Sequence, residues 1–396
     1  MLRFLCAVAV MGAHYGAGFW YAPGRVSHAL LNHLGYRPAV RFGLEYGWVG
    51  VQIFFVISGV MIARSATNVS QAEFLRRRFL RLVPAAWACA TITLAIVAAA
   101  GLASSELVLG WVRSMLFVPV GEQIDGAYWT IGVETVFYLV VAAAIGSGGS
   151  AARLERVAYG LTLISMAAIL APLLGAAHDP ALPPSRASDL LLLTHGSFFA
   201  IGIMIAQCQA TRPALRHVLT IGIAAIPASI QVVQQARVSA AESTLAVSPA
   251  VALAIVAVGG MLVASATRAQ PVLVRAIDPG FARWMGKMTY PLYLLHMNIG
   301  AVVIAVLVAQ GFAVVAAIGI AAAVAIAAAA LVARVVEPLI VAQFRRVLDH
   351  PYQWPRSRLA APVPLPRLSL GRGQGARRGA DEIGQPRAVA PAVRRD

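Results

Sequence analysis

Charge is what this chain has least of: Asp, Glu, Lys and Arg supply 12% of its 396 residues, about half the ~25% typical of a soluble globular domain. That is too little to cover a water-facing surface, so a soluble enzyme is excluded. Lysine is nearly absent, with Lys287 the only one, and arginine carries almost all of a formal net charge of +16. Cysteine is confined to Cys6, Cys89 and Cys208, each alone in an apolar stretch without CxxC spacing or even pairs. Such thiols read as packing residues and say nothing about redox compartment. A thiol carrying an acyl group would want a basic neighbour to lower its pKa, and no basic residue adjoins any of the three. Internal repeats are missing as well.

What is present is hydrocarbon. Apolar residues make up 59% of the chain and come in runs near the length that ~1.5 Å per residue needs to cross a ~30 Å lipid core. Runs bounded by charge and Pro/Gly clusters predict helices near 2–20, 47–65, 83–102, 128–146, 157–175, 189–208, 217–233, 246–266, 284–308 and 311–333. The fold class is therefore all-α, an integral membrane bundle of about ten transmembrane helices. The first run could pass for a secretory signal, with Arg3 before an apolar stretch ending in small residues. It is read as a retained helix, because Arg3 and His14 both belong to patterns that a cleaved segment could not serve. The arginines flank these runs, where anionic lipid headgroups attract them, so their partner is the membrane and not nucleic acid.

Orientation follows from the short loops. With the N-terminus cytoplasmic, inner loops hold Arg76, Arg77, Arg78, Arg81, Arg153, Arg156, Arg212, Arg216, Arg268, Arg275, Arg283 and Lys287. Outer loops hold Arg25, Arg37, Arg41, Arg113, Arg186 and Arg237. This bias of about two to one places both termini inside. The membrane domain is expected over 1–345. From 346 to 396 Pro, Arg, Gly and Ala dominate with no periodic apolar face, a composition expected to stay disordered against the inner leaflet. The Ala-rich run 313–333 reads as a helix with a small-residue packing face.

Ionisable residues inside apolar segments cost several kcal/mol unless paired or facing water, so each is a functional candidate. Three lie well inside expected helices: His14, Glu134 and His296. Ser58 adds a hydroxyl beside Gly59 in the middle of the second helix. Counting from Arg3, His14 lies roughly 16 Å up its helix; counting from Trp284, His296 lies roughly 18 Å up. Glu134, counted from Tyr128 at the opposite face, lies roughly 9 Å down. All three are thereby expected in one layer in the middle-to-outer half of the bilayer. A lone intramembrane His is as often a satisfied interhelical hydrogen-bonder as a functional group. A His and a Glu at one depth suit general base chemistry, the carboxylate fixing the imidazole tautomer while the imidazole takes a proton from an attacking hydroxyl.

A second constellation is the run Phe74-Leu75-Arg76-Arg77-Arg78-Phe79-Leu80-Arg81-Leu82-Val83-Pro84. Its plain reading is enforcement of the positive-inside rule. Its functional reading is a phosphate clamp, with Arg78 and Arg81 three apart on one face and Pro84 opening the next membrane helix.

These segments resemble the acyltransferase-3 family of bacterial polytopic membrane O-acyltransferases over about residues 1–345. Arg3 with His14 eleven residues on resembles its first-helix Arg-x10-His motif, and Gly47 through Gly59 its second-helix signature. Arg78-x-x-Arg81-x-x-Pro84 looks like its basic motif, and Trp129-Thr130-x-x-x-Glu134-x-x-Phe137-Tyr138 its Trp/Glu segment. Thr289-Tyr290-x-x-Tyr293-Leu294-x-His296 is similar to its later Ser-Tyr-x-x-Tyr-Leu-x-His element, and Glu337-Pro338 to its last-helix ending. The Asp frequent in the second-helix signature is Gln52 here, and the chain is short before Arg3. The resemblance implies transfer of an acyl group, usually acetyl from acetyl-CoA or another acyl-CoA, to a hydroxyl of a glycan, lipid-linked sugar or small acceptor at the cell membrane. It implies His14 as the catalytic residue, and Arg3, Arg78 and Arg81 in donor binding or site assembly; Glu134, from the buried His/Glu layer, is the second catalytic candidate. Ser58, Trp129, Tyr293 and His296 are further site candidates. No metal is implied, and the stand-alone form is expected.

Two other classes use the same residues. A proton-coupled transporter or glycan flippase would use a His/Glu relay, although no inverted repeat accompanies it. A membrane cytochrome would use His14 and His296 as haem ligands. The acceptor itself is not legible; His28, His33 and Glu45 in outer loop 21–46 are the residues there that could touch a sugar.

Overall fold

The computed structural model describes residues 1–349 except 22–23, 35–42, 147, 174–185, 212 and 244–245. All regular structure among these residues is helical, with no strand among them. In order the helices are α1 (Leu2–Tyr21), α2 (Arg25–Leu31), α3 (Val49–Ala66), α4 (Gln71–Leu102), α5 (Ser105–Met115), α6 (Gly126–Ile145) and α7 (Ala151–Leu173). They continue with α8 (Gly196–Ala210), α9 (Leu215–Ser243), α10 (Pro249–Ala276), α11 (Pro279–Ala309) and α12 (Val314–Leu348). Nine of the described helices are long and apolar enough to span a membrane. The expected tenth is α8, whose 15 residues reach only about 22 Å.

Three expectations need correction. The helix expected over 189–208 starts at Gly196, because Leu192 takes a left-handed φ of 58° and stops helical bonding before it. Packed against α3, α7 and α9 with most of its side chains buried, α8 is enclosed by protein and needs no full lipid match. Pro84 does not open a helix. It lies inside α4, which begins at Gln71 behind an N-cap in which Ser70 Oγ accepts from the Glu73 N–H at 3.3 Å. The basic run is therefore two turns of the membrane helix itself, and proline is tolerated there because packed neighbours re-satisfy the freed backbone. The amphipathic helices α2 and α5 fall in segments expected to be loops.

The bundle is drawn together by small residues. A side chain added at Gly59 of α3 would meet the Phe199 carbonyl oxygen at 2.4 Å, and one at Gly202 of α8 would meet the Val56 carbonyl oxygen at 2.1 Å. The two backbones thus cross in direct contact, the geometry small residues permit in lipid, where apolar burial alone drives no association. On α12 the buried face is Ala317, Ala321, Ala325 and Ala329, a four-residue repeat lying against α11 and agreeing with the small-residue face read from the sequence. Large apolar residues of α9 and α10, such as Leu219 and Met261, are exposed at the bundle's outside, as a lipid solvent requires.

The described residues up to Val347 form one compact unit. The expected tail lies outside the described residues apart from its first few positions, as do Arg37, Arg41 and Arg212.

Candidate functional site

Two polar layers occupy the interior, joined by a column of aromatic rings. The first centres on the histidines. At His14 helix α1 widens into a π-helical turn, His14–Gly18, a local expansion that redirects side chains and recurs at functional sites. The His14 ring lies 5.2 Å from that of His296 on α11, tilted by 44°. His296 is fully buried, and its Nδ1 lies 2.8 Å from the Tyr293 carbonyl and 3.2 Å from that of Leu292. Both neighbours are acceptors, so Nδ1 carries the proton and Nε2 is a bare lone pair without a hydrogen-bond partner. Beside them Tyr15 donates its hydroxyl to the His296 carbonyl at 2.6 Å. Its ring packs so close that any side chain at Gly300 would overlap it.

The second layer centres on Ser58. Arg3 donates through Nη2 to Ser58 Oγ at 2.8 Å, and Ser58 donates on to Glu134 Oε1 at 2.9 Å. The hydroxyl thus relays between a half-buried guanidinium and a buried carboxylate, each of which would be costly alone. Tyr138, one turn along α6, also acts on Glu134, and the Arg78 guanidinium sits 5.8 Å above the Tyr138 ring and 5.5 Å above Phe74. Arg81 reaches Glu337 of α12 at 4.0 Å. Nε of both Arg3 and Arg78 is buried with no hydrogen-bond partner. Between the layers the Arg3 guanidinium lies 4.8 Å over the Phe54 ring, Phe54 stacks on Tyr293 at 6.0 Å, and Tyr293 meets His296 at 5.8 Å.

His14 and Glu134 are not paired, contrary to the expectation that they share one depth. The cause is the anchor used for α6. That helix does not begin at the membrane face: Asp125, just ahead of it, is buried and accepts from the Asn298 backbone N–H at 3.1 Å, two residues past His296. Glu134 is nine residues further, roughly 13 Å from the Asp125–Asn298 level and so about 10 Å beyond the histidines, and falls among the arginines. His14 and His296 do come together, as do Arg3, Ser58 and Glu134. Trp129 stands apart from both groups, packed on Phe55 at 6.3 Å and His195 at 5.4 Å.

Asp125 and Asn298 escaped sequence reasoning, since an Asp-Gly pair between apolar runs has the look of an ordinary turn. Asp125 Oδ1 caps the Ala127 N–H at 2.9 Å, and Asn298 Nδ2 returns a bond to the Ile124 carbonyl at 2.7 Å. Burial pushes the Asp125 carboxyl up to about 6, against the opposing pull of the N–H groups of Ala127 and Asn298. The pair forms the floor of a cavity of about 640 Å³ at the end of the bundle away from Arg76–Arg81, lined also by Gln123, Trp129, Arg186 and Met297. At its rim Arg25 bridges Glu106, at 2.5 Å, and Glu122.

Compared with known families, residues 1–334 match the acyltransferase-3 model, described as an acyltransferase domain. No curated protein and no solved structure matches the chain.

Proposed function

From the premise that this chain belongs to the acyltransferase-3 family and is a multi-pass membrane acyltransferase, we propose that it moves an acyl group, acetyl in the simplest case, from acyl-CoA to an acceptor hydroxyl at the cell membrane. The acceptor class is a glycan, a lipid-linked sugar or a small molecule. The observation that carries this reading is the His14/His296 pair, set between a polar cavity at one end of the bundle and half-buried arginines toward the other.

In this scheme the arginine end faces the cytoplasm. Arg3 and Arg78 keep buried donors without partners, which suits the phosphates of a CoA donor. Ser58 and Glu134 hold Arg3 in place, so Glu134 serves by positioning and charge balance. At the histidine layer the His14 imidazole takes the proton of the acceptor hydroxyl as its oxygen attacks the thioester carbonyl. When the C–S bond breaks, the imidazolium returns that proton to the departing thiolate. Ester and free CoA thiol leave, and His14 is restored. His296 holds its Nε2 lone pair beside His14, where it stabilises the proton-bearing ring. The cavity floored by Asp125 and Asn298 would receive the acceptor, its floor two residues along α11 from His296.

Purified protein supplied with acetyl-CoA and a mixture of glycan acceptors should release free thiol. His14→Ala should lower that rate by at least ~100-fold, the scale of a lost general base, with detergent-phase monodispersity unchanged. Activity persisting in this variant removes the base assignment. Substrate accumulation in vesicles without thiol release favours the transporter reading.

A further inference from the structure

A second cavity, of about 820 Å³, lies between α6 and α7, outside both polar layers. Its walls are apolar, from Val136, Val140 and Ala143 on one side to Leu161 and Ile164 on the other, and its two charged lining residues are Arg153 and Arg156 at one end. No carboxylate is among the residues that line it. Along α6 it runs from Gly146 to Val136, roughly 15 Å at 1.5 Å per residue. That is half of a ~30 Å hydrocarbon core, the depth of one leaflet.

The two arginines are three apart on one helical face and point the same way. Glu155, between them, turns aside and is held by Arg216 at 3.1 Å and His217 at 2.9 Å. Arg153 spends one nitrogen, Nη1, on the Ile145 and Gly148 carbonyls that end α6. Arg156 is exposed and donates through Nε to the Ala152 carbonyl of its own helix at 3.4 Å. Midway along the groove Gly160 is exposed, and a side chain built there meets nothing within 4 Å.

We infer that this groove is a binding site for an anionic phospholipid, one acyl chain lying between α6 and α7 and the headgroup phosphate held by Arg156 with Arg153. Charge complementarity and a length of one leaflet single out this occupant. The inference is independent of the acyltransferase chemistry, because it uses no residue of either polar layer.

The test is native mass spectrometry of the full chain in mild detergent, titrated with phosphatidylglycerol or with phosphatidylcholine of equal chain length. One phosphatidylglycerol should bind at roughly tenfold lower concentration than phosphatidylcholine, a ratio that two interfacial arginines can supply. Arg156→Gln should erase most of that preference. Gly160→Leu, which improves helix propensity while filling the groove, should abolish the bound lipid, and Ala143→Phe should do so from the opposite wall. Arg345→Gln, a charge lost from α12, should leave binding unchanged. Equal binding of the two lipids overturns the inference, as does retention of the wild-type preference in Arg156→Gln with either groove-filling variant. Displacement of phosphatidylglycerol by equimolar polyprenyl phosphate also overturns it, in favour of a lipid-linked acceptor. If Gly160→Leu does not fold, Arg156→Gln and Ala143→Phe decide the matter.

Discussion

Ser58 shows how much a single small residue can carry in lipid. Its hydroxyl accepts from Arg3 and donates to Glu134, so an ion pair across helices α1, α3 and α6 is made without direct contact. Asp125 does comparable work at the other layer, tying the approach to α6 onto α11 beside His296. Its carboxyl, raised in the folded protein from the ordinary 3.8 to about 6, holds a proton more tightly than in the unfolded chain. The stability that this proton preference confers is complete below the unfolded value and disappears as pH climbs through about 6. Thermal unfolding in detergent across pH 4 to 7 should therefore show wild-type protein losing on the order of 3 kcal/mol from this group. Asp125→Asn should lack that component of the slope. Superimposable pH profiles for the two proteins would mean that Asp125 is not buried as described.

At the scale of elements, close backbone contact decides which helices meet. The α3–α8 crossing rests on Gly59 and Gly202, each facing the other's backbone. Gly59→Val puts branched carbon where only hydrogen fits and no flexible side chain can yield. A cost of at least about 3 kcal/mol is expected from such overpacking. The readout is the fraction of protein that stays monodisperse on size exclusion; an unchanged fraction would contradict the crossing. α4 teaches a different lesson. The start signal, Ser70 with Glu73, was present in the chain, yet the proline at 84 suggested a boundary. In water a mid-helix proline costs about 3 kcal/mol, whereas within a packed membrane bundle the neighbours absorb it.

For the whole molecule, α6 as a membrane-spanning helix places the α5–α6 and α6–α7 connections on opposite faces of the membrane. The proposed orientation puts the arginine-bearing α6–α7 end inside. A cysteine introduced at Glu122 should react with a membrane-impermeant maleimide in intact cells, and one at Ser150 only after permeabilisation. The reverse pattern would invert the topology and, with it, the side from which donor and acceptor approach.

Composition and run length alone determined the solvent, the all-helical class, the approximate spans and the presence of buried ionisable groups, because lipid penalises every unpaired polar atom along a segment regardless of its neighbours. The six motif segments likewise pointed to the family that the match over residues 1–334 bears out. Which of those groups touch was decided only by the tertiary structure. Depth depends on where each helix begins relative to its neighbours, and α6 begins inside the bundle, held there by Asp125 on Asn298. Glu134 therefore meets Ser58 and Arg3, and His14 meets His296. Local spacing counts residues along one helix; it carries no information on the offset between two.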